Sequence, residues 1–167
     1  PYVKSPRDMA CWDLVGKVAG LPLCDLFGGR FGKDIALYRA ISQRPATEMA
    51  ENVSLYRDQG YTKFQLKVGG EVEEDIQRII KASEVLKSGE TLVADANTGW
   101  LVGDAARVVN AVRDIDVYIE QPCLSYNHCL ITRQRTSLPF IMDENVTVAL
   151  LRFPSTFSQV LRAALEW

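Results

Sequence analysis

The chain has 167 residues, of which 47% are apolar and 24% charged, with a formal net charge of −2. This composition is ordinary for a globular protein with one domain and a core of its own. The small negative charge argues against nucleic acid as a partner, and no apolar run approaches the roughly 20 residues of a membrane span.

The first predicted element is a helix within residues 5–27. Ser5 can cap it and Pro6 suits its first turn, while Gly20 is expected to end it before a second short turn that runs to Gly28 and Gly29. Apolar side chains at helical spacing predict a packing face. These are Met9, Trp12, Leu14, Val15 and Val18. We interpret residues 1–30 as linking helices that lead into the next domain.

Strands and helices alternate five times in the next segment. The predicted strands are 35–41, 63–68, 91–97, 117–122 and 139–144, and the predicted helices between them are 46–60, 71–89, 103–115 and 125–137. Such alternation is typical of parallel βα units in an α/β fold. We assign residues 31–145 to this domain and residues 146–167 to a divergent tail with an amphipathic helix at 155–166.

Charged side chains recur at the carboxyl ends of these strands. Lys67, Asp95, Glu120 and Asp143 lie about one βα unit apart. Neighbouring parallel strands are about 4.8 Å apart, so carboxylates at one level on three strands fall within about 10 Å of each other. Such carboxylates repel unless a cation lies between them, and oxygen ligands without His or Cys favour Mg²⁺. The pattern predicts a magnesium site on Asp95, Glu120 and Asp143.

Each of these residues also has a simpler interpretation. A single acidic residue at a strand end is often a helix cap or a surface residue, and Lys67 alone could be an exposed strand-end lysine. Asn97 shares a strand side with Asp95 and is expected to line the same cavity. Tyr38, at the end of the first predicted strand, could line the pocket or pack in the core.

With these residues in this order, the chain resembles the enolase superfamily, in its mandelate racemase/muconate-lactonizing branch. The resemblance is carried by five stretches within residues 1–145. They are MACWDLVGKVAGLPLCDLFGG (9–29), KFQLKVGG (63–70), VADAN (93–97), YIEQP (118–122) and MDE (142–144). The stretches FQLKVGG and EQPCLSY are similar to the hydroxyproline dehydratase and hydroxyproline-betaine epimerase type.

The resemblance implies a (β/α)-barrel fold and one Mg²⁺ held by Asp95, Glu120 and Asp143. It also implies that the enzyme removes the proton α to a carboxylate of a small acid, with Lys67 as the catalytic acid/base. Many members carry Lys-x-Lys on the second strand, and here Gln65 replaces the first lysine. Together with Asn97 and Tyr38, Gln65 and Glu144 are expected to bind substrate or support the ligands.

The resemblance also sets expectations about what the chain lacks. A complete barrel takes about 250 residues, so five strands predict a partial (β/α) barrel with open edges and a tendency to form a homo-oligomer. The capping domain and the later strands of the family would lie outside these residues. The alternative is a truncated, non-catalytic remnant that binds metal or pairs with a longer homologue. Four cysteines without a CxxC motif, and no signal peptide, predict reduced thiols and a cytoplasmic protein.

Overall fold

The structure, a computed structural model, describes residues 4–30 and 32–145. The chain divides into two compact units, the first ending at Ala36 and the second beginning at Leu37. The predicted helix at 155–166 and the rest of the tail lie outside the described residues. In the part of the chain that the structure describes, no helix is both long and apolar enough to cross a membrane.

The first unit contains two helices, α1 (Lys4–Ala19) and α2 (Leu23–Leu26). As predicted, Gly20 stops α1: the helix ends at Ala19, and Gly20 follows with a left-handed φ of 65°, which costs glycine little. Trp12 and Phe27 pack with ring centroids 4.5 Å apart. The predicted packing face of α1 is largely exposed, and Val18, at 89% exposure, shows it most clearly.

The second unit is built around one five-stranded sheet. Its strands are β1 (Arg39–Ile41), β2 (Lys63–Lys67), β3 (Thr91–Asp95), β4 (Tyr118–Glu120) and β5 (Phe140–Ile141). Its helices are α3 (Ala46–Asp58), α4 (Val72–Glu84), α5 (Val102–Ala111) and α6 (Tyr126–Arg133). All strand pairs are parallel and follow the chain order, which confirms the predicted α/β arrangement of a partial barrel.

The two sides of each strand differ as the alternation of residue types predicts. Phe64, Leu66, Leu92 and Ile119 are buried in one apolar core with residues of the helices, Val53 among them. Burial of these side chains supplies most of the favourable free energy of folding, at about 25 cal/mol per Å² of apolar surface. The opposite sides of β2, β3 and β4 carry the polar residues of the strand ends.

The strands are shorter than the sequence predicts, mainly because special backbone conformations end them. The first strand starts at Arg39 and not at residue 35, so Tyr38 precedes it. Asn97 and Gln121 have left-handed φ angles of 44° and 39°, and these end the extended conformation predicted to run through 91–97 and 117–122. Residues 96–97 and 121–122 therefore belong to loops that follow β3 and β4.

A buried carboxylate, Asp75 of α4, ties two of these loops together. Its Oδ2 accepts hydrogen bonds from the backbone N–H groups of Gly69 (2.9 Å) and Gly70 (2.8 Å) and from Trp100 Nε1 (2.9 Å). Its Oδ1 accepts a bond from Arg78 Nη1 at 2.7 Å. Asp75 has no exposed surface, so these donors replace the water that its charge would otherwise need.

We expect Asp75→Ala to lower the free energy of unfolding by about 3 kcal/mol, because the buried donors lose their acceptor. Glu74→Ala is the matched control: Glu74 precedes Asp75 on α4 and also pairs with Arg78, but its side chain is 66% exposed. That control should change stability by less than about 0.5 kcal/mol. Urea unfolding followed by circular dichroism measures both, and equal losses in the two variants would contradict the assigned role of Asp75.

Candidate active site

The parallel register places three of the predicted site residues side by side. Lys67 pairs with Asp95 across β2 and β3, and Asp95 pairs with Glu120 across β3 and β4. Since each is the last residue of its strand, all three side chains lie at the carboxyl edge of the sheet. Catalytic groups of (β/α) barrels occur at this edge.

Lys67 forms an ion pair with Asp95. Its Nζ donates to Asp95 Oδ2 at 2.5 Å, and the lysine side chain is 35% exposed while the aspartate side chain is 1% exposed. Asp95 Oδ1 accepts the backbone N–H of Asn97 at 2.9 Å, a local turn that fits the left-handed φ of Asn97. Both oxygens of a buried carboxylate therefore have donors, and the lysine also reaches open space.

Glu120 is buried in a mainly acidic environment. Gln65 Nε2, on β2, donates to Glu120 Oε2 at 2.6 Å. The pKa of Glu120 is raised, first by burial, which disfavours its charge. The hydrogen bond from Gln65 opposes this rise, the charges of Asp95 and Asp143 add to it, and Lys67 opposes it. Glu120 thus lies where a nearby cation would relieve an electrostatic penalty.

Asp143 and Glu144 lie beyond β5 and are exposed. Register places Ile141, not Asp143, level with Glu120, so the expectation of three carboxylates at one level holds only for Asp95 and Glu120. The reason is that β5 ends two residues before Asp143. Asn97 Nδ2 donates to Glu144 Oε1 at 3.2 Å, which links the end of β3 to this segment.

Tyr38 is the one predicted site residue that the structure does not bring to this edge. It lies directly before β1, at the opposite end of that strand from the carboxyl edge, and it is 58% exposed. The apolar run from residue 35 predicted a strand that begins before Tyr38, whereas the strand begins directly after it. Tyr38 neither lines this site nor packs in the core.

The predicted magnesium ligands do not form a closed site in the structure. In residues 4–30 and 32–145, no three His, Cys, Asp or Glu side chains lie close enough together to enclose a metal ion. Asp95 is instead bonded by the Lys67 ammonium, Glu120 by the Gln65 amide, and Asp143 is exposed. The donors are nevertheless hard oxygens, and the charges of Asp95 and Asp143 both act on Glu120. Oxygen donors of this kind are the ligands that Mg²⁺ prefers in proteins, although the three carboxylates are not gathered around one point in this structure.

Two residues that organise this edge, Asp75 and Gln121, were not predicted from the sequence. Asp75 belongs to the acidic stretch EVEED, where a helix start explains every carboxylate equally well. Gln121 belongs to YIEQP, where only the glutamate was assigned a role. Its carboxamide Oε1 accepts the backbone N–H of Asp143 at 3.0 Å.

Comparison with known proteins gives a family. Residues 48–152 match the family described as "Enolase C-terminal domain-like". The chain is 57% identical over 144 residues to cis-3-hydroxy-L-proline dehydratase from Roseibium aggregatum, covering 86% of this chain and 39% of that protein. It is 31% identical over 153 residues to N-succinyl-L-Arg/Lys racemase from Bacillus cereus, covering 87% of this chain and 41% of that protein.

Solved structures agree with the sequence comparison. A mandelate racemase/muconate lactonizing enzyme from Roseovarius nubinhibens superposes with a TM-score of 0.74 at 40% identity, covering 81% of this chain and 38% of that one. An enolase-superfamily member from the same organism, complexed with magnesium, gives a TM-score of 0.77 at 37% identity, covering 90% of this chain and 42% of that one.

The chain thus spans about two fifths of the length of these relatives. Its fold and its sequence agree with them over most of its own length. The chain belongs to the enolase superfamily, in the mandelate racemase/muconate-lactonizing enzyme branch.

Proposed function

We propose that this protein catalyses Mg²⁺-dependent removal of the proton α to a carboxylate, with Lys67 as the acid/base. The observation that carries the proposal is the Lys67–Asp95 pair, in register with buried Glu120 at the carboxyl edge of the sheet. A basic side chain thereby lies beside carboxylates that could hold a cation. This is the arrangement that α-proton abstraction requires.

Asp95, Glu120 and Asp143 would hold the metal ion. When bound, Mg²⁺ would stabilise the negative charge that develops on the substrate carboxylate as its α-proton leaves. Asp95 forms an ion pair with the Lys67 ammonium in the structure, and metal binding would require its carboxylate to turn from that partner. Lys67 would then be released from that partner, and once its ammonium had given up a proton to solvent, Nζ would take the α-proton as the Cα–H bond breaks.

Neighbouring polar groups would keep the carboxylates in place. The Gln65 amide donates a hydrogen bond to Glu120. A lysine at this position, as in the family's Lys-x-Lys motif, would also bring a positive charge to Glu120, whereas the amide is neutral. Asn97 and Glu144 form a hydrogen-bonded pair on the open side of the site. They could contact substrate there, because Glu144 is exposed.

The substrate is proposed to be a hydroxyproline-like or other small carboxylic acid. This rests on the 57% identity to a cis-3-hydroxy-L-proline dehydratase, against 31% for the racemase described above. Dehydration and epimerisation share the first step. In dehydration the β-hydroxyl then leaves as water and a double bond forms, whereas in epimerisation a proton returns to the opposite face of Cα.

We further infer a cytoplasmic homo-oligomer. The four cysteines are free, and Cys11 is exposed, which suits a reducing compartment. Within the described residues β1 and β5 each pair with a single strand, so association would cover open sheet edges.

Magnesium should stabilise the folded chain through Asp95. At a concentration 100 times its dissociation constant, a ligand specific for the folded state adds about 2.7 kcal/mol. Thermal unfolding by circular dichroism, in Mg²⁺ and in EDTA, should show a rise of several degrees in the parent and none in Asp95→Asn. Asp116→Asn is the control, since Asp116 is exposed and precedes β4 at the other edge. An equal rise in both variants would remove Asp95 from the proposed ligands.

Lys67 should be required for exchange of the substrate α-proton. With cis-3-hydroxy-L-proline, Mg²⁺ and D₂O, proton NMR should show loss of the α-proton signal, and Lys67→Met should slow that loss by about 10³-fold. Lys63→Met is the control, because Lys63 lies on the same side of β2 at its other end. Mg²⁺-dependent stabilisation without exchange on any hydroxyproline would favour the non-catalytic remnant instead.

Glu120→Gln should stabilise the metal-free chain at neutral pH. The raised pKa of Glu120 means that its contribution to stability is complete below the unfolded value, near 4.5, and is lost as pH rises through the folded value. In EDTA the free energy of unfolding of the variant should therefore rise relative to that of the parent between about pH 4 and about pH 7.

Glu90→Gln is the control of opposite sign. The hydrogen bond from Arg57 lowers the pKa of Glu90, so its contribution is present above the unfolded value and is lost as pH falls through the folded value. This variant should lose stability relative to the parent over the same range. Urea unfolding at each pH tests both, and a stability deficit of Glu120→Gln that grows with pH would contradict the raised pKa of Glu120.

A further inference from the structure

Gln121 is a buried polar residue in an unusual backbone conformation. It follows Glu120 directly, has no exposed surface, and adopts a left-handed φ of 39° although it is not glycine. Its backbone joins the two neighbouring strand ends, since its N–H donates to Ile141 O at 3.0 Å and its C=O accepts from Thr98 N at 2.9 Å. Strained residues of this kind persist where surrounding contacts hold them.

The carboxamide of Gln121 uses both of its ends. Oε1 accepts the backbone N–H groups of Asp143 at 3.0 Å and Asn145 at 3.3 Å. Nε2 donates to Cys123 O at 3.0 Å and contacts Cys129 Sγ at 3.7 Å. A neutral amide is the side chain that can both accept two N–H groups and donate to a carbonyl. Leucine or methionine could fill the space but could not make these bonds.

These contacts bear directly on Asp143. Among the described contacts, the hydrogen bond from the Asp143 backbone N–H to the Gln121 carboxamide is the one that links residue 143 to the segment after β4. The Asp143 side chain is exposed and lies beyond the end of β5, so the strand pairing does not fix its position. The amide that anchors Asp143 therefore also determines where that carboxylate can reach.

We propose that Gln121 is a positioning residue, whose carboxamide anchors the backbone at Asp143 so that the Asp143 carboxylate can join Asp95 and Glu120 around one cation. The inference rests on the proposed metal site and adds a residue that contacts neither metal nor substrate. Groups that orient metal ligands through hydrogen bonds typically contribute 10- to 100-fold to metal affinity.

The test is a double-mutant cycle on Mg²⁺ affinity, measured by isothermal titration calorimetry. Gln121→Met should weaken Mg²⁺ binding by about 10- to 100-fold. In an Asp143→Asn background the same substitution should weaken it much less, because the ligand that Gln121 positions has already been lost. Gln121→Glu, whose carboxylate still accepts both N–H groups, should keep more of the affinity than Gln121→Met.

Two further measurements distinguish a positioning role of Gln121 from a purely structural one. Thr132→Val is the matched control, since Thr132 is a fully buried polar residue beside Cys123, and it should lower stability without changing Mg²⁺ affinity. In EDTA, NMR hydrogen exchange at the Asp143 and Asn145 amides should quicken in Gln121→Met, independently of any metal or activity. If that variant does not fold, Gln121→Asn, one methylene shorter, takes its place.

The outcomes separate this inference from the proposed function. Unchanged Mg²⁺ affinity in the Gln121 variant, an equal loss in the Asp143→Asn background, or unchanged exchange at the Asp143 amide would overturn the positioning role while leaving the metal site. Loss of Mg²⁺ affinity in Asp95→Asn but not in Asp143→Asn would also overturn the positioning role, because Asp143 would then not be a ligand. A parent chain without measurable Mg²⁺ affinity would overturn the proposed function, and the positioning role with it.

Discussion

The candidate site depends on one constraint, the parallel register that places Lys67, Asp95 and Glu120 at adjacent positions on three strands. A slip of one residue would turn each polar strand end toward the helices and move core residues such as Leu66 or Ala94 to the other side. Packing of the apolar face thus fixes the register, and the register fixes which polar side chains are adjacent. The free energy comes from burying the apolar face, and the chemistry follows from what the opposite face must then present.

The loops above the sheet need a second set of constraints, which come from close backbone packing. A Cβ at Gly69 would lie 2.2 Å from Ala96 O, and one at Gly99 would lie 2.3 Å from Gly69 O. Real Cβ atoms do not approach so closely, so both positions require glycine. Asp75 adds a charged anchor to the same two loops. The loops after Lys67 and Asp95 are therefore held together both by sterics and by hydrogen bonds.

The site also shows a tension between stability and chemistry. Glu120 is buried where its own charge is disfavoured, and Gln65 and Lys67 offset only part of that penalty. The Lys67 ammonium provides the positive charge that Asp95 needs in the structure. Groups placed at the expense of stability are common in functional sites. The same pairing that stabilises the metal-free site would have to open for the proposed chemistry to proceed.

Strand and helix order, the sheet's two-sided pattern and three of the polar residues at the strand ends, Lys67, Asp95 and Glu120, were predictable from the sequence, because alternation and spacing are local properties of the chain. The residues at which the strands end were not predictable, because the left-handed conformations at Asn97 and Gln121 depend on the neighbouring strands that hold them. Tyr38 was misplaced for a similar reason, as an apolar run does not show where hydrogen bonding begins. The sequence by itself determined which residues carry charge and in what order. Only the tertiary structure decided that Asp75 and Gln121 anchor the loops, because their partners lie on separate strands and no periodicity records a contact across them.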